Sequence, residues 1–209
     1  RRLYGIDCLT HLNLIEKING DGFIDFFDGE WRPDMIGYRA SSNTWSVWEA
    51  KGGSNRREQA LKKGSQQVAA IASVNGQKPD PAAVCMTYYD HGYLCGVVRM
   101  PATEKGEAVG FDHKRFCRAY YRHICEAFLE CGAGTRMEGQ NAELSVAVPC
   151  FTEEKRAGEE RRIHFGMSKS MLLHLMEEKY DFFTQGGIGI WRESCPGDAF
   201  VGEDGIYVR

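Results

Sequence analysis

Three charged residues, Asp34, Glu49 and Lys51, have the types and the spacing that hydrolysis of a phosphate ester requires. Period-two alternation places Trp45, Val47, Glu49 and Lys51 on one face of a predicted strand. Two carboxylates can hold a divalent cation between them, and a neighbouring lysine can orient or deprotonate a water molecule. The same lysine can neutralise the charge that grows on the phosphate during attack.

A predicted hairpin brings these residues together. The runs Asp34 to Arg39 and Thr44 to Lys51 are separated by a segment of ordinary hairpin-loop length. If the ends of this loop face each other, the numbers of paired residues sum to 83, which places Asp34 opposite Glu49. Their Cβ atoms then lie about 5 Å apart, where two like charges destabilise a sheet unless something compensates. A Mg²⁺ ion would compensate, with the backbone carbonyl of Ala50 as a third oxygen ligand.

A solvated, charged sheet face is the alternative interpretation, because edge strands often carry charged residues. The position of the charges favours a site. In Val47-Trp48-Glu49-Ala50-Lys51-Gly52-Gly53 they follow an apolar aromatic strand and precede a double glycine. They therefore lie at the end of a strand, beside a loop where a substrate can approach.

The pattern of Pro33-Asp34 followed after fourteen residues by Glu49-Ala50-Lys51 resembles the motif of the PD-(D/E)xK nuclease superfamily. The resemblance covers about residues 4 to 100. It implies a mixed α/β fold of the restriction-endonuclease-like type, with an αβββαβ core, a central mixed β-sheet flanked by helices, and a C-terminal elaboration. It also implies hydrolysis of phosphodiester bonds with Mg²⁺, or with Mn²⁺ in its place. The resemblance assigns Asp34, Glu49 and the Ala50 carbonyl as metal ligands and Lys51 as the catalytic lysine.

The segment after the motif is basic, and residues 56 to 63 carry a local charge of +3. We expect Arg56, Arg57 and Lys63 to bind substrate phosphate. Gln67, one turn from Lys63, can donate to a phosphate oxygen or to a metal-bound water, and many members of the superfamily carry a polar or basic residue in this region. A solvated basic helix face is the alternative for each of these residues.

Other candidates fit less well. Asp7 and Glu16 lie on the first predicted helix, and some families of this fold use an acidic residue there to reach the metal; a plain surface role for Glu16 is the alternative. His113 and Cys117 stand four residues apart, which permits a Cys–His nucleophilic pair, but buried structural cysteines are commoner and no zinc-ligand spacing is matched. We interpret the tryptophans near the hairpin as core and rim packing, with one exposed tryptophan able to stack on an unpaired base.

Apolar periodicity predicts helices over Tyr4 to Ile18, Arg56 to Ser73, residues 113 to 131 and residues 168 to 180. The segment Gly52-Gly53-Ser54-Asn55 is expected to supply the cap of the second helix, and Ser168 that of the last. Alternation and turn signals predict strands over Gly22 to Phe27, Asp34 to Arg39, Thr44 to Lys51, Ala82 to Tyr89, Tyr93 to Met100 and residues 143 to 151. The charged stretch Glu153 to Arg162 predicts an exposed loop, and the glycine-rich tail from Gly186 predicts short strand-like runs.

The composition of the 209 residues, 43% hydrophobic and 26% charged, predicts a folded soluble protein and excludes disorder, collagen and coiled coil. No apolar run approaches the ~20 residues of a membrane-spanning helix. The start lacks an initiator Met and a signal peptide, which predicts a domain excised from a longer chain. We expect a nuclease core over residues 1 to 105 and a packed α+β elaboration over residues 106 to 209, with a single domain as the alternative.

The eight dispersed cysteines predict reduced, largely buried thiols in a cytoplasmic protein or in a delivered toxin domain. Residues 1 to 110 carry 13 basic and 13 acidic groups and residues 111 to 209 carry 13 and 16, so the net charge of −3 lies outside the predicted core.

We therefore expect a metal-dependent nuclease that hydrolyses DNA by attack of a metal-activated water, with RNA as an alternative substrate and no membrane partner. A catalytically inactive nucleic-acid-binding or protein-interaction module on the same fold is the alternative. The oligomeric state stays open, with a homodimer as one option, and so do sequence preference, endo- or exonuclease action and a role in defence, repair, mobile-element processing or toxicity.

Overall fold

The computed structural model of the chain describes residues 4–19, 31–103, 106–110, 112–130, 135–148, 161–180, 195–202 and 204–209. Its contacts divide the chain into two compact units, Arg1–Tyr120 and Tyr121–Arg209. Among the described residues, no helix is both long enough and apolar enough to cross a membrane.

The first unit combines strands and helices around one five-stranded sheet. Its elements in chain order are β1 (Cys8–His11), α1 (Leu12–Asn19), β2 (Met35–Arg39), β3 (Thr44–Gly52), α2 (Glu58–Ala69), β4 (Ile71–Val74), β5 (Ala82–Asp90), β6 (Tyr93–Arg99), β7 (Glu107–Val109) and the start of α3 (His113–Glu130). The strand order is β1-β2-β3-β5-β6, with β3 and β5 parallel and the other neighbours antiparallel. The prediction of a mixed α/β fold is confirmed.

The hairpin of β2 and β3 has the predicted register. Arg39 pairs with Thr44 and Met35 with Trp48, so the numbers of paired residues sum to 83. On one face of the sheet, Trp48 packs with Ile6 and Ala83 in a buried cluster. On the other face, aromatic side chains of α3 pack against the hairpin, and the rings of Trp45 and Phe116 lie 5.0 Å apart. Both faces of the hairpin are therefore anchored in core.

Helix α2 packs closely on the sheet beside Glu49. Its buried residues are Leu61, Gly64, Gln67 and Val68, which share one face at spacings of three and four. A Cβ atom added at Gly64 would lie 2.8 Å from Val84 Cγ1 and 3.2 Å from Glu49 Cγ. A glycine at this position therefore lets the helix approach the sheet at the level of Glu49.

Gly64→Ala is expected to destabilise the protein despite the better helix propensity of alanine. Overpacking costs about 1–3 kcal/mol, and the propensity gain of about 1 kcal/mol offsets only part of it. The control is Gly96→Ala, where the nearest atom to an added Cβ lies 4.0 Å away. The measurement is the free energy of unfolding in urea; equal values for the two variants would contradict the close approach.

The prediction of one helix over Tyr4 to Ile18 is wrong in its first half. Residues Cys8–His11 form β1, which pairs with β2, and α1 starts only at Leu12. The three-residue spacing of Leu9 and the later apolar residues resembles a helix, but Leu9 packs over Gly37, where a Cβ would lie 3.3 Å from its Cδ1 atom. Tertiary pairing here overrides the local pattern. The predicted strand at residues 22–27 lies outside the described residues.

The predicted helix over Arg56 to Ser73 is also too long. It ends at Ala69, and Ile71–Val74 form β4, which pairs in parallel with β7. Ile71 and Val74 are fully buried in this pairing, as β-branched residues often are. The predicted cap within residues 52–55 is wrong as well, because the N-cap position is Arg57 and no side chain caps the helix.

The second unit is a second sheet with a helix. After the end of α3 its elements are β8 (Thr135–Glu138), β9 (Asn141–Val148), β10 (Arg161–Ser168), α4 (Lys169–Met176), β11 (Phe200–Val201) and β12 (Tyr207–Val208), and the strand order is β11-β12-β10-β9-β8. Ser168 caps α4 as predicted, since its Oγ accepts from the Met171 N–H at 3.2 Å. Residues 161 and 162 belong to β10 rather than to the predicted loop, because β10 pairs with β9 along its whole length. Residues 153–160 lie outside the described residues.

Candidate active site

The predicted site residues Asp34, Glu49, Lys51 and Gln67 come together where β2 begins and β3 ends. Asp34 lies one residue before the last pair of the ladder, Met35 with Trp48, so it faces the position of Glu49. Gln67 approaches from α2, which covers this face of the sheet.

Backbone hydrogen bonds hold the two carboxylates in place reciprocally. The Asp34 N–H donates to Glu49 Oε2 at 2.8 Å, and the Ala50 N–H donates to Asp34 Oδ2 at 2.9 Å. Each carboxylate therefore accepts a hydrogen bond from the backbone of the opposite strand. Such bonds to charged acceptors are stronger than neutral ones, and they fix like charges side by side that would otherwise repel.

Lys51 is positioned by two acceptors. Its Nζ donates to Glu49 Oε1 and, at 2.8 Å, to Gln67 Oε1. The amide of Gln67 in turn donates from Nε2 to the Arg32 carbonyl at 2.9 Å, which fixes which end of the amide faces the lysine. Gln67 is buried, so this chain of bonds is shielded from water and holds the ammonium group beside the carboxylates.

The surroundings of Glu49 disfavour the ionised form of its carboxyl group. Its side chain is only 1% exposed. Burial raises the pKa of Glu49, the negative charge of Asp34 raises it further, and the hydrogen bond and charge of Lys51 oppose both effects. A further positive ion beside the two carboxylates would stabilise their ionised forms.

The donor set fits a hard divalent cation. Val47 donates its N–H toward β5, to the Pro81 carbonyl, whereas Ala50 donates toward Asp34. Because the N–H and C=O of one strand residue point to the same side, the Ala50 carbonyl also lies on the Asp34 side. Two carboxylates and one carbonyl are ligands that Mg²⁺ prefers. Within the described ranges, no group of three or more His, Cys, Asp or Glu side chains could hold an ion.

His11, which the sequence pattern does not predict as a site residue, lies beside Asp34. Its Nε2 atom is 4.0 Å from Asp34 Oδ1, and its Nδ1 accepts from the Asn13 N–H at 3.2 Å. The neutral ring therefore carries its proton on Nε2, facing the site as a donor. Only the pairing of β1 with β2, His11 opposite Met35, brings this residue near, and no local sequence signal predicts that pairing.

The acidic residues proposed near the first helix occupy different places. Glu16 Oε1 pairs with Arg32 Nη1 at 2.5 Å. The Arg32 carbonyl accepts a hydrogen bond from Gln67, so Glu16 helps to position Gln67 indirectly. Asp7 precedes β1 and accepts from the Ala40 N–H in the β2–β3 loop, at the opposite end of the hairpin from Asp34. Asp7 is a buried structural residue because this bond satisfies the loop.

The predicted phosphate-binding residues of α2 do not join the cluster. Arg56 and Arg99 both bind Glu58, which lowers the pKa of that carboxyl group. Arg57 donates to Asn55 Oδ1 at 3.2 Å, and Lys63 is exposed on the helix surface. These side chains lie on the outer surface near the N-terminal half of the helix.

The proposed Cys–His pair has the wrong electrostatics for a nucleophile. Cys117 Sγ and His113 Nδ1 lie 3.8 Å apart, and Cys117 is fully buried. Burial raises the pKa of the Cys117 thiol and lowers the pKa of His113. A reactive thiolate needs the opposite shifts, so this thiol is a core residue. None of the six described cysteines is in a disulfide.

Gln67→Leu is expected to lower the kcat of any reaction that depends on Lys51 about 10- to 100-fold, with little change in substrate KM, since lost positioning contacts at metal sites have effects of that size. Leucine keeps the volume but removes the acceptor for Lys51 and the donor to Arg32. Gln66→Leu is the matched control, because Gln66 is the exposed neighbour on the same helix. Equal kcat values for the two variants would contradict a positioning role.

Comparison of this chain with protein-family models, with curated proteins and with solved structures found no match.

Proposed function

We propose that this protein is a metal-dependent nuclease that hydrolyses phosphodiester bonds, with DNA as its substrate and Mg²⁺ as its cofactor. The observation that carries the proposal is the placement of the two carboxylates by backbone N–H groups of the opposite strand. Glu49 Oε2 accepts from the Asp34 N–H, and Asp34 Oδ2 accepts from the Ala50 N–H. Lys51 pairs with Glu49 and balances one of the two negative charges, so a cation beside Asp34 and Glu49 would balance the other. The ammonium group of Lys51 lies beside the carboxylates, where it can stabilise the negative charge on a phosphate.

The residues of the chain have distinct roles in this proposal. Asp34, Glu49 and the Ala50 carbonyl would hold the cation, which when bound acts as a Lewis acid and lowers the pKa of a coordinated water. Lys51 orients the attacking water and stabilises negative charge on the phosphate. Gln67 keeps Lys51 in place, and the Nε2–H of His11 can donate to a phosphate oxygen on the exposed side of Asp34.

The arrangement of elements supports membership of the PD-(D/E)xK superfamily as part of the same proposal. The motif residues lie on an antiparallel hairpin, and α2 then crosses over to β5, which runs parallel to β3. The motif glutamate and lysine stand near the end of β3, beside the only helix of that crossover. Of the three strands that the resemblance implies between its two helices, the described residues include β2 and β3, and α2 and β5 follow them in the implied order.

A substrate panel tests the proposal. Supercoiled plasmid, linear duplex, single-stranded DNA and RNA are incubated with Mg²⁺, Mn²⁺ or EDTA, and the products are resolved by gel electrophoresis. Cleavage of DNA with either metal and none with EDTA is expected. Binding of DNA without cleavage under every metal condition would contradict the enzyme and favour a non-catalytic binding module.

A further inference from the structure

The hairpin of β5 and β6 projects beyond the candidate active site. β3 and β5 run in parallel, with Lys51 paired with Met86 and Gly52 with Thr87, and β3 ends there. β5 continues for three more residues to Asp90 before the chain returns as β6. At about 3.3 Å per residue, this two-stranded arm extends roughly 10 Å past the end of β3.

One face of the arm continues the face that carries Glu49 and Lys51. Val84 pairs with Glu49, and both lie under Gly64 of α2. Alternation along β5 then places Tyr88 on this face, two residues beyond the level of Lys51. The opposite face of the arm carries Tyr89 by the same alternation.

The register of β6 assigns its residues to the same two faces. Asp90 pairs with Tyr93 and Val84 with Arg99, and directly opposite residues share a face. The Arg99 guanidinium binds Glu58 of α2 at 2.8 Å, which confirms that these residues lie on the α2 side of the sheet. Tyr93 therefore lies on the active-site face of the arm.

Tyr88 and Tyr93 together make an aromatic surface. They are diagonal neighbours across the two strands, since Tyr88 pairs with Cys95, a separation of about 7–8 Å that aromatic side chains can span. Tyr93 is 76% exposed and Tyr88 is half-buried, so both rings are accessible to a ligand on this face.

We propose that Tyr88 and Tyr93 form a stacking platform for unpaired bases next to the cleaved phosphate, so that the substrate class is single-stranded or locally unpaired nucleic acid. This inference rests on the proposed nuclease function. At the rise of a strand, Tyr88 and Tyr93 lie about 7 Å and about 13 Å beyond the level of Lys51. Bases next to a phosphate bound at Lys51 can therefore reach the two rings.

The chemistry of the arm favours bases over phosphates as its partner. Asp90 is on this face and its Oδ1 atom lies 2.8 Å from Nδ1 of His91 in the turn, and the guanidinium of Arg99 is already bound to Glu58. A strand therefore gains little from charge there, whereas a tyrosine ring can stack on any base in a sequence-tolerant way. In a duplex the faces of the bases are covered by one another, so only unpaired bases can use the platform.

Tyr93→Ala tests the platform, with Tyr89→Ala as the matched control on the opposite face. Tyr89 is also exposed, at 60%, on the same hairpin. Fluorescence anisotropy measures the affinity of the full chain for a labelled single strand, in EDTA so that no cleavage occurs. Tyr93→Ala is expected to weaken binding roughly 5- to 150-fold, and Tyr89→Ala to leave it unchanged. An abasic strand of equal length should bind wild type and Tyr93→Ala alike, because it keeps the phosphates and lacks the bases.

Each alternative outcome is informative. Equal affinity of wild type and Tyr93→Ala for the single strand would overturn the platform, as would equal losses in the two variants. A wild-type dimer in sedimentation that Tyr93→Ala dissociates, with single-strand affinity unchanged, would instead identify the arm as a self-association surface. Base-dependent binding without any cleavage would support the platform and contradict the nuclease. Cleavage of the single strand that is equally fast in wild type and in Tyr93→Ala would support the nuclease and contradict the platform.

Discussion

Asp34→Asn is expected to reduce metal-dependent cleavage on the order of 10³-fold, because a lost metal ligand removes several kcal/mol of transition-state stabilisation. Asparagine has nearly the same shape and keeps an oxygen that can accept from the Ala50 N–H. The change therefore removes the charge and leaves the local fold intact. The measurement is the initial rate of single-strand and plasmid cleavage at saturating Mg²⁺.

Two comparisons make this result specific. Asp198→Asn removes an exposed carboxylate in the second unit and should leave the rate unchanged. Lys51→Met should also abolish cleavage but should retain metal binding, since Lys51 contributes no ligand. Cleavage that persists in both Asp34→Asn and Lys51→Met would mean that the activity comes from elsewhere.

Glu49→Gln is expected to abolish cleavage and at the same time to stabilise the metal-free protein at neutral pH. The Glu49 side chain is buried, and its carboxyl group has a raised pKa because of burial and the charge of Asp34. Ionisation of this group in the folded state therefore costs free energy that a neutral amide avoids. The single amide oxygen of the variant can keep the hydrogen bond from the Asp34 N–H, whereas its NH2 group cannot accept from Lys51. Lys51 then keeps Gln67 as its acceptor.

The pH dependence of this difference has a definite sign. A carboxyl group with a raised pKa binds its proton more tightly in the folded than in the unfolded chain, so wild-type stability falls as pH rises. The contribution is fully present below the ordinary carboxyl pKa of 4.5 and is lost as pH rises through the raised pKa of Glu49. Glu49→Gln lacks this titration, so its advantage over wild type should grow across the same window and then level off. Urea unfolding at several pH values measures it.

Mg²⁺ should reverse the order of stability. A ligand that binds only the folded state stabilises it by about 2.7 kcal/mol at a hundred times its Kd. Wild type should gain this in the presence of Mg²⁺, and Glu49→Gln should gain little. A variant that is less stable than wild type in EDTA would show that Glu49 contributes to stability without a metal, which contradicts a carboxylate pair built around a cation.

The part of the site that local sequence predicts is the hairpin. A four-residue loop between two extended runs fixes the register, and the register alone places Asp34 opposite Glu49. Gln67 can also be predicted from local sequence, since it lies on the inner face of an amphipathic helix. Both features depend on neighbours close in sequence.

The features that the sequence does not predict depend on contacts between distant segments. His11 reaches the site because Cys8–His11 pair with β2, and the apolar spacing there equally suits a helix. Lys51 is held by Gln67, which is anchored to a carbonyl thirty-five residues earlier in the chain. The basic residues of α2 are predicted by charge alone, and charge does not show that Glu58 binds both Arg56 and Arg99.

Anomalous diffraction from a crystal soaked in Mn²⁺ is the most direct test of a metal site at Asp34 and Glu49. A single strong peak is expected between the two carboxylates, within coordination distance of one oxygen of each and of the Ala50 carbonyl, roughly 2.1 Å as for Mg²⁺. The same soak of Asp34→Asn crystals should show no peak there. A site that stays empty in the wild type while the crystals bind Mn²⁺ elsewhere would contradict the metal-dependent nuclease. A peak of equal height in Asp34→Asn crystals would contradict it as well.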